Sequence, residues 1–251
     1  MGDQLHIFVS DVHLGINDGS AEARETRFLD FLRNLPKETE GLYLLGDIFD
    51  FWVEYRDMVP RSSVRVLGEL AALSDRGVKI YFFSGNHDYW LTDYLRDEIG
   101  MEIIREPLIV KEIAGRSVCM GHGDGLGSRN PFIRLLFSAI RNKWLVSLLK
   151  FFHPWLIFRW AHKWSSASRN RSDKSKYTFK GKDSNLYGYI CKYGEERKID
   201  CYILGHVHSQ MEIEVESGGT LYLLGDWAEG ASSLNLSGTN IGFGAWPNIS
   251  K

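Results

Sequence analysis

VKIYFFSGNHD, residues 78–88, has the pattern of a buried strand followed at once by polar side chains. The apolar run ends at Ser84. After one glycine come Asn86, His87 and Asp88. A short apolar run that stops at turn residues is typical of a strand buried on both faces, as in a parallel sheet. The stretch therefore predicts a strand that brings an amide, an imidazole and a carboxylate to one edge of a sheet.

Four other blocks repeat this arrangement of an apolar run followed by aspartate, histidine or glycine. Open α/β sheets bind their ligands at the carboxyl ends of the strands, so we expect the polar residues of all five blocks to gather there. The further blocks are Asp11-Val-His13, Gly46-Asp47-Ile-Phe-Asp50, Gly121-His122-Gly-Asp124 and Gly205-His206-Val-His208.

Helices are predicted between the first strands of the chain. Apolar residues recur at helical spacing over residues 22–35 and 62–76, and a short helix is predicted over 90–99, closed by Gly100. Alternating strands and helices are typical of an α/β sheet that is covered on both faces.

Beyond residue 101 the predicted strands mostly follow one another directly, apart from one more helix over 183–197. We therefore predict a mixed α/β fold, a β-sandwich flanked by helices. Its core comprises residues 1–128 and 183–251, and residues 129–182 form an inserted helical cap.

The five blocks together supply four histidines besides His87, one asparagine and several aspartates. Imidazole and oxygen ligands without cysteine suit Mn, Fe, Zn or Mg rather than a structural zinc finger. Seven side chains exceed what one tetrahedral ion needs, so two ions sharing a carboxylate are predicted. Paired ions catalyse in-line displacement at phosphorus. The alternative is a set of satisfied polar groups in turns, and five blocks in this order disfavour it.

The order of these blocks resembles that of the calcineurin-like metallophosphoesterase superfamily, outside the predicted insertion. The resemblance implies a metallophosphoesterase-type fold and two divalent ions, with Mn²⁺ preferred. It implies that Asp47 bridges both ions. It also implies two ligand sets: Asp11, His13 and His208 for the first ion, and Asn86, His122 and His206 for the second.

The residues after the third strand have further implied roles. Asn86 is a neutral ligand that leaves positive charge for a phosphate to neutralise. His87 stabilises the phosphate in the transition state or protonates the leaving oxygen. Asn86, His87 and Asp88 are the expected catalytic residues, and Asp88 and Asp50 are candidates for orienting imidazoles. Plain turn-capping is the alternative for both aspartates.

A closer resemblance is to the UDP-2,3-diacylglucosamine hydrolases of the lipid A pathway. The residues that carry it are Asp47-Ile-Phe-Asp-Phe-Trp, His122-Gly-Asp, Leu223-Leu-Gly-Asp-Trp227 and the basic, aromatic insertion. It implies hydrolysis of an acylated nucleotide sugar to UMP and 2,3-diacylglucosamine 1-phosphate. The sequence departs from many members at His87, where they have arginine. The substrate-binding residues it implies are Asn86, His87, His206, Ser166, Asn170 and Lys174.

The insertion has an unusual charge. Between Arg129 and Lys182 there are 13 lysines and arginines, one acid and four tryptophans, while the chain as a whole carries −2. This composition indicates a segment that binds a membrane surface or forms a pocket for acyl chains. A helical pair packed on the core is the alternative. Binding of nucleic acid is disfavoured because nothing repeats as a base-reading module would.

The chain has no run of 18 apolar residues and no secretory signal pattern at its start, and its three cysteines are scattered. We expect a cytoplasmic enzyme, peripheral on the inner face of the inner membrane. The competing functions are a phosphoesterase for a soluble nucleotide or phosphoprotein and a catalytically dead scaffold. The sequence carries no prediction of oligomeric state.

Overall fold

The computed structural model describes residues 4–54, 59–60, 63–91, 93–128, 159, 179, 181–228, 230–238 and 240–244. In chain order its strands are β1 Leu5–Val9, β2 Thr39–Leu44, β3 Lys79–Phe83, β4 Glu102–Ile104, β5 Ile109–Ile113, β6 Arg116–Gly121, β7 Cys201–Leu204, β8 Met211–Glu214, β9 Thr220–Leu223, β10 Ser233–Ser237 and β11 Asn240–Gly244. Its helices are α1 Ala21–Arg33, α2 Val64–Asp75, α3 Tyr94–Asp97 and α4 Asn185–Gly194, with a 3₁₀ helix at Gly181–Asp183.

The strands form two sheets. The first has the order β11-β10-β1-β2-β3-β4 and the second the order β5-β6-β7-β9-β8. Strands β1 to β4 run parallel to one another, and so do β6, β7 and β9. The outer strands β10, β11, β5 and β8 pair antiparallel. Each sheet therefore has a parallel centre whose strand ends can gather ligands.

Successive side chains along each strand point to opposite faces of its sheet, and this divides the core into layers. Ile7 and Val9 of β1 pack with buried residues of α1 and α2, whereas Phe8 between them packs toward the second sheet. In β6, Val118 faces the first sheet, and Cys119 packs with buried residues of α4. Because side chains alternate with period two, each central strand is buried on both faces. The result is two sheets packed face to face between helices.

The predicted fold class is confirmed. The helices predicted over 22–35, 62–76 and 183–197 are α1, α2 and α4, and the predicted strands are present. The helix predicted over 90–99 was too long, since only Tyr94–Asp97 is helical. Trp90 forms a β-bridge with Val53 instead. The carboxylate of Glu54 accepts the N–H of Asp93 and of Tyr94, so the helix begins there.

The predicted cap at 129–182 lies almost wholly outside the described residues, and its helices remain a prediction. In the described part of the chain, no helix combines the length and the apolar character that crossing a membrane requires.

Candidate metal centre

The loops that follow the central strands carry an unusual backbone conformation. Asp11, His13, Asp47, His206 and His208 have φ between 52° and 69°, in the left-handed region that residues with a Cβ rarely adopt. Only Ser63 and Ala114 share it among the other non-glycine residues that the structure describes. Backbone strain of this kind concentrates at functional sites. It marks the same residues that the sequence motifs single out.

Two glycines let neighbouring loops touch. A Cβ on Gly46, which has φ +84°, would lie 2.8 Å from Cα of Gly85. A Cβ on Gly85 would lie 2.5 Å from the main-chain nitrogen of Asp47. Real Cβ atoms do not come so close, so both positions require glycine. The glycines of these two blocks therefore allow the loops after β2 and β3 to approach each other beneath the polar side chains.

The first group of possible ligands is formed by Asp11, His13 and His208, whose ligand atoms all lie within 4.8 Å of one another. Oδ1 of Asp11 is 3.4 Å from Nε2 of His208 and 3.9 Å from Nε2 of His13. Oδ1 of Asp11 and both ring nitrogens of His13 are buried without a hydrogen-bond partner among the described residues. Buried polar atoms normally have partners. A cation between Oδ1 of Asp11 and Nε2 of His13 would satisfy those two atoms.

A second group lies beside the first. The ligand atoms of Asp47, His122 and His206 also lie within 4.8 Å of one another. Nε2 of His122 is 3.3 Å from Oδ2 of Asp47 and 3.3 Å from Oδ1 of Asn86. Oδ2 of Asp47 is also 4.0 Å from Nε2 of His13, which belongs to the first group. Asp47 thus lies between the two groups.

Hydrogen bonds on the far side of two imidazoles direct their Nε2 atoms into the site. Nδ1 of His122 lies 2.8 Å from the carbonyl oxygen of Leu45, and Nδ1 of His208 lies 3.0 Å from Oδ2 of Asp226. Both partners are acceptors, so Nδ1 carries the proton and donates it. In the neutral imidazole this arrangement puts the lone pair on Nε2, as in metal-ligating histidines.

Asp226 is the functional residue that the sequence reasoning missed. A signal for it was present, because the hexapeptide Leu-Tyr-Leu-Leu-Gly-Asp occurs twice, at residues 42–47 and 221–226. The first copy is β2 with Asp47 after it, and the second is β9 with Asp226 after it. Both copies end a parallel strand and bring an aspartate to the site.

Electrostatics hold Asp47 and His13 in the forms that bind cations, whereas His122 keeps its proton until a cation displaces it. Burial acts to raise the pKa of Asp47, but the neighbouring imidazoles, His122 first, hold it well below its usual range. Burial alone would lower the pKa of His122, and the Asp47 carboxylate beside it raises this pKa well above its ordinary value. Burial lowers the pKa of His13 well below its ordinary value. Asp47 is thus ionised and His13 is neutral.

Asp88 connects the loop after β2 to the loop after β3 through main-chain hydrogen bonds. Its two oxygens accept the main-chain N–H groups of Gly85 at 2.8 Å, Ile48 at 2.8 Å, and Asp47 and Phe49 at 3.2 Å. Burial, followed by the charge of Asp47, raises the pKa of Asp88 to about 7, and these hydrogen bonds oppose that shift. The contacts are to main-chain amides and not to imidazoles. They match the turn-capping alternative.

His87 and Asp50 lie together at the rim of the site. Nδ1 of His87 is 2.9 Å from the carbonyl oxygen of Asp50 and 3.6 Å from its Oδ1. Oδ1 of Asp50 is also 3.7 Å from Nδ1 of His13. The His87 side chain is 22% exposed, whereas that of Asp50 is 1% exposed. Asp50 thus faces two imidazoles, and the His87 ring remains accessible from solvent.

The structure brings all seven predicted ligands to one edge of the sandwich, in the loops after β1, β2, β3, β6 and β7. Ser166, Asn170 and Lys174, which were predicted to bind substrate, lie outside the described residues.

A family model for calcineurin-like phosphoesterases matches residues 7–210, a segment that contains all five sequence blocks. The chain belongs to the calcineurin-like phosphoesterase family. This phosphoesterase is a hydrolase. The histidine and aspartate groups of its site, with one asparagine, form a donor set for divalent metal ions.

Curated relatives support a closer likeness. A UDP-2,3-diacylglucosamine hydrolase of Porphyromonas gingivalis is 32% identical over 262 residues, covering 93% of this phosphoesterase and 94% of the relative. Proteins of the same name from Histophilus somni and Xanthomonas oryzae are each 28% identical, covering 94% of this chain and 97% and 96% of the relatives. The resemblance to this group of hydrolases is therefore confirmed over nearly the full chain.

Proposed function

We propose that this phosphoesterase hydrolyses the pyrophosphate bond of UDP-2,3-diacylglucosamine, releasing UMP and 2,3-diacylglucosamine 1-phosphate. The observation that carries the proposal is the 32% identity to a hydrolase of that name, which extends over 93% of this chain. The aligned span, 93% of this chain, is long enough to extend into residues 129–182, which we assign to an inserted cap. Its place would be in lipid A biosynthesis.

We propose that two divalent ions, Mn²⁺ by preference, bind at the site. Asp11, His13 and His208 would hold one ion, and Asn86, His122 and His206 the other, with Asp47 shared. The buried, unpartnered atoms of Asp11 and His13 support this assignment. Bound ions of this type polarise phosphoryl oxygens and activate water as a nucleophile.

The protein's own residues would position the diphosphate and its leaving group. Asn86 adds no negative charge to the second ligand group, so the site keeps positive charge for a phosphate. In its imidazolium form, His87 would donate Nδ1–H to the carbonyl of Asp50 and keep Nε2–H for the substrate. We assign to His87 the stabilisation of phosphoryl charge or protonation of the leaving oxygen. His206, with Asn86, would contact the same phosphate.

Asp88 would contribute to catalysis by holding the loops in place. Its four main-chain hydrogen bonds link the loop after β2, which carries Asp47, to the loop after β3, which carries Asn86. A displacement of about 1 Å in such a site can cost about a hundredfold in rate. We therefore propose a positioning role for Asp88.

The insertion would recognise the lipid part of the substrate. Residues 129–182 combine 13 basic residues with four tryptophans. Apolar side chains can enclose acyl chains, and each buried methylene contributes about 0.8 kcal/mol. Ser166, Asn170 and Lys174 would contact substrate there, and the basic residues would attract an anionic membrane surface from the cytoplasmic side.

The test compares three substrates with the purified, Mn²⁺-loaded protein: UDP-2,3-diacylglucosamine, UDP-N-acetylglucosamine and a chromogenic phosphodiester. We expect release of UMP from the diacylated substrate with a kcat/KM at least about a hundredfold above that for the unacylated sugar, because acyl burial contributes several kcal/mol. Equal kcat/KM values would favour the competing proposal of a soluble nucleotide or phosphoprotein substrate. Absence of all three activities would indicate a scaffold.

A further inference from the structure

The loop after β9 connects helix α1 to one of the candidate ligands. Nδ1 of His208 donates to Oδ2 of Asp226 at 3.0 Å. The other carboxylate oxygen of Asp226 accepts the main-chain N–H of Ala228 at 3.1 Å. A single carboxylate thus orients an imidazole and also closes the turn of its own loop. The position of His208 therefore depends on the position of this loop.

Arg27 of α1 binds the same loop from the opposite side. Its Nη1 donates to the carbonyl oxygen of Trp227 at 2.6 Å, and a second, longer contact of 3.4 Å reaches the carbonyl oxygen of Ala228. A charged donor forms a stronger hydrogen bond than a neutral one. Two successive main-chain carbonyls are therefore held by one side chain, directly after Asp226.

The side chain of Trp227 anchors the loop in the core. It is fully buried and lies edge-on to Phe28 and Phe31 of α1, at ring-centroid distances of 5.1 and 5.2 Å. Its main-chain N–H donates to the carbonyl oxygen of Asp11 at 3.4 Å. The loop thus lies between α1 and the loop that carries Asp11.

We propose that Asp226 and Arg27 are positioning residues for the ligand group of Asp11, His13 and His208. Arg27 fixes the main chain at Trp227 and Ala228, directly after Asp226, and Asp226 in turn fixes the tautomer and ring orientation of His208. With Nδ1–H bound in this way, Nε2 of His208 faces Oδ1 of Asp11 at 3.4 Å. Neither residue touches a reacting atom. The inference rests on the proposed metal centre and extends it to a helix outside the sequence motifs.

The two residues have effects of different expected size. Without the Asp226 acceptor, His208 can rotate and adopt the other tautomer, and loss of such a partner costs about 10–100-fold in metal affinity. Without the Arg27 donors, Asp226 keeps its bond to Ala228 but its loop gains freedom. We expect a smaller loss there, about threefold to tenfold, at the same ion.

The experiment measures Mn²⁺ binding to metal-free full-length protein by titration, without substrate. Asp226→Ala should lower the affinity for one ion about 10–100-fold and leave the affinity for the other unchanged. Asp226→Asn keeps a carbonyl acceptor, so it should recover part of the lost affinity. Arg27→Met should lower the affinity for the same ion by a smaller factor, and the affinity of Arg27→Lys should lie nearer that of the parent. Arg33→Met is the matched control, because Arg33 lies on the same helix and pairs with Glu69 at the surface.

A second readout does not depend on metal. Nitrogen-15 NMR of the metal-free protein, at a pH alkaline enough for the His208 ring to be neutral, should show the proton on Nδ1 in the parent and a mixture of tautomers in Asp226→Ala. Unchanged tautomer and unchanged affinity would overturn the proposal. The proposal would also be overturned if Arg27→Met lowered the affinity for both ions equally and lowered thermal stability, since that result indicates a general structural role. Failure of the parent to bind Mn²⁺ would instead overturn the proposed metal centre, with the tautomer still testing the role of Asp226.

Discussion

Oδ2 of Asp47 lies 3.3 Å from Nε2 of His122, and both side chains are buried. The same oxygen lies 4.0 Å from Nε2 of His13, so one carboxylate oxygen contacts both ligand groups. Such a position makes Asp47 the residue that joins the ligand group of Asp11, His13 and His208 to the group with His122 and His206.

Asp47→Ala should therefore remove the function of both ions, whereas His13→Ala should keep partial metal content. We expect Asp47→Ala to lower kcat by several orders of magnitude, because paired ions supply most of the catalysis in such sites. Metal content by mass spectrometry and turnover in excess Mn²⁺ provide the measurements. Near-normal turnover of Asp47→Ala would rule out the two-ion arrangement.

The site of attack gives an independent prediction. A diphosphate offers two phosphorus atoms, and the proposed reaction places the one next to uridine over the ligand groups. Hydrolysis in heavy-oxygen water should label UMP and leave the sugar phosphate unlabelled, as measured by mass spectrometry of both products. Label in the sugar phosphate would reverse the assignment.

Replacement of residues 132–168 by a short Gly/Ser linker should separate chemistry from lipid recognition. The described ligands all lie outside this segment, so hydrolysis of a small chromogenic phosphodiester should survive. Turnover of the diacylated substrate should fall at least about a hundredfold, because several methylenes at about 0.8 kcal/mol each would lose their enclosure. A parent-like rate on the diacylated substrate would contradict a lipid-binding role for the insertion.

Neutral substitutions at Lys174 and Lys176 should weaken binding to anionic vesicles, and the difference from the parent should shrink as salt rises. Sedimentation with vesicles at low and high ionic strength measures this effect. Arg33→Met, a change in α1 outside the insertion, is the control. Equal vesicle binding by parent and variants at low salt would argue against these lysines as membrane contacts.

The cysteines allow a test of burial by pH. Burial raises the pKa of the Cys119 thiol to about 12, so only roughly one in a thousand of these thiols is ionised at pH 9. The thiolate is the nucleophile, so iodoacetamide should label half-exposed Cys191 long before Cys119. Labelling of Cys119 should stay slow while the fold persists, because its side chain is fully buried. Equal labelling of both at pH 9 would show that Cys119 is accessible.

The seven candidate ligands could be predicted from the sequence because each follows a short apolar run, and parallel strands bring such positions to one edge. Asp226 was missed because it stands alone after its strand, without a histidine two residues later. The helix over 90–99 was predicted too long because helical spacing cannot reveal that Glu54, a residue distant in sequence, caps its true start at Asp93. Left-handed backbone at Asp11 or His208 is likewise set by neighbouring loops and leaves no local pattern.

Strand β10 lies beside β1 in the first sheet, and the N–H of Trp227 meets the carbonyl of Asp11. The first ligand block therefore depends on a segment more than two hundred residues further along the chain. During synthesis on the ribosome, a nascent chain that ends before residue 237 has no partner for the open edge of β1. Long-range pairing of this kind is slow to form and leaves strand edges exposed meanwhile. The first ligand block can thus be completed only after β10 has been synthesised and has paired with β1.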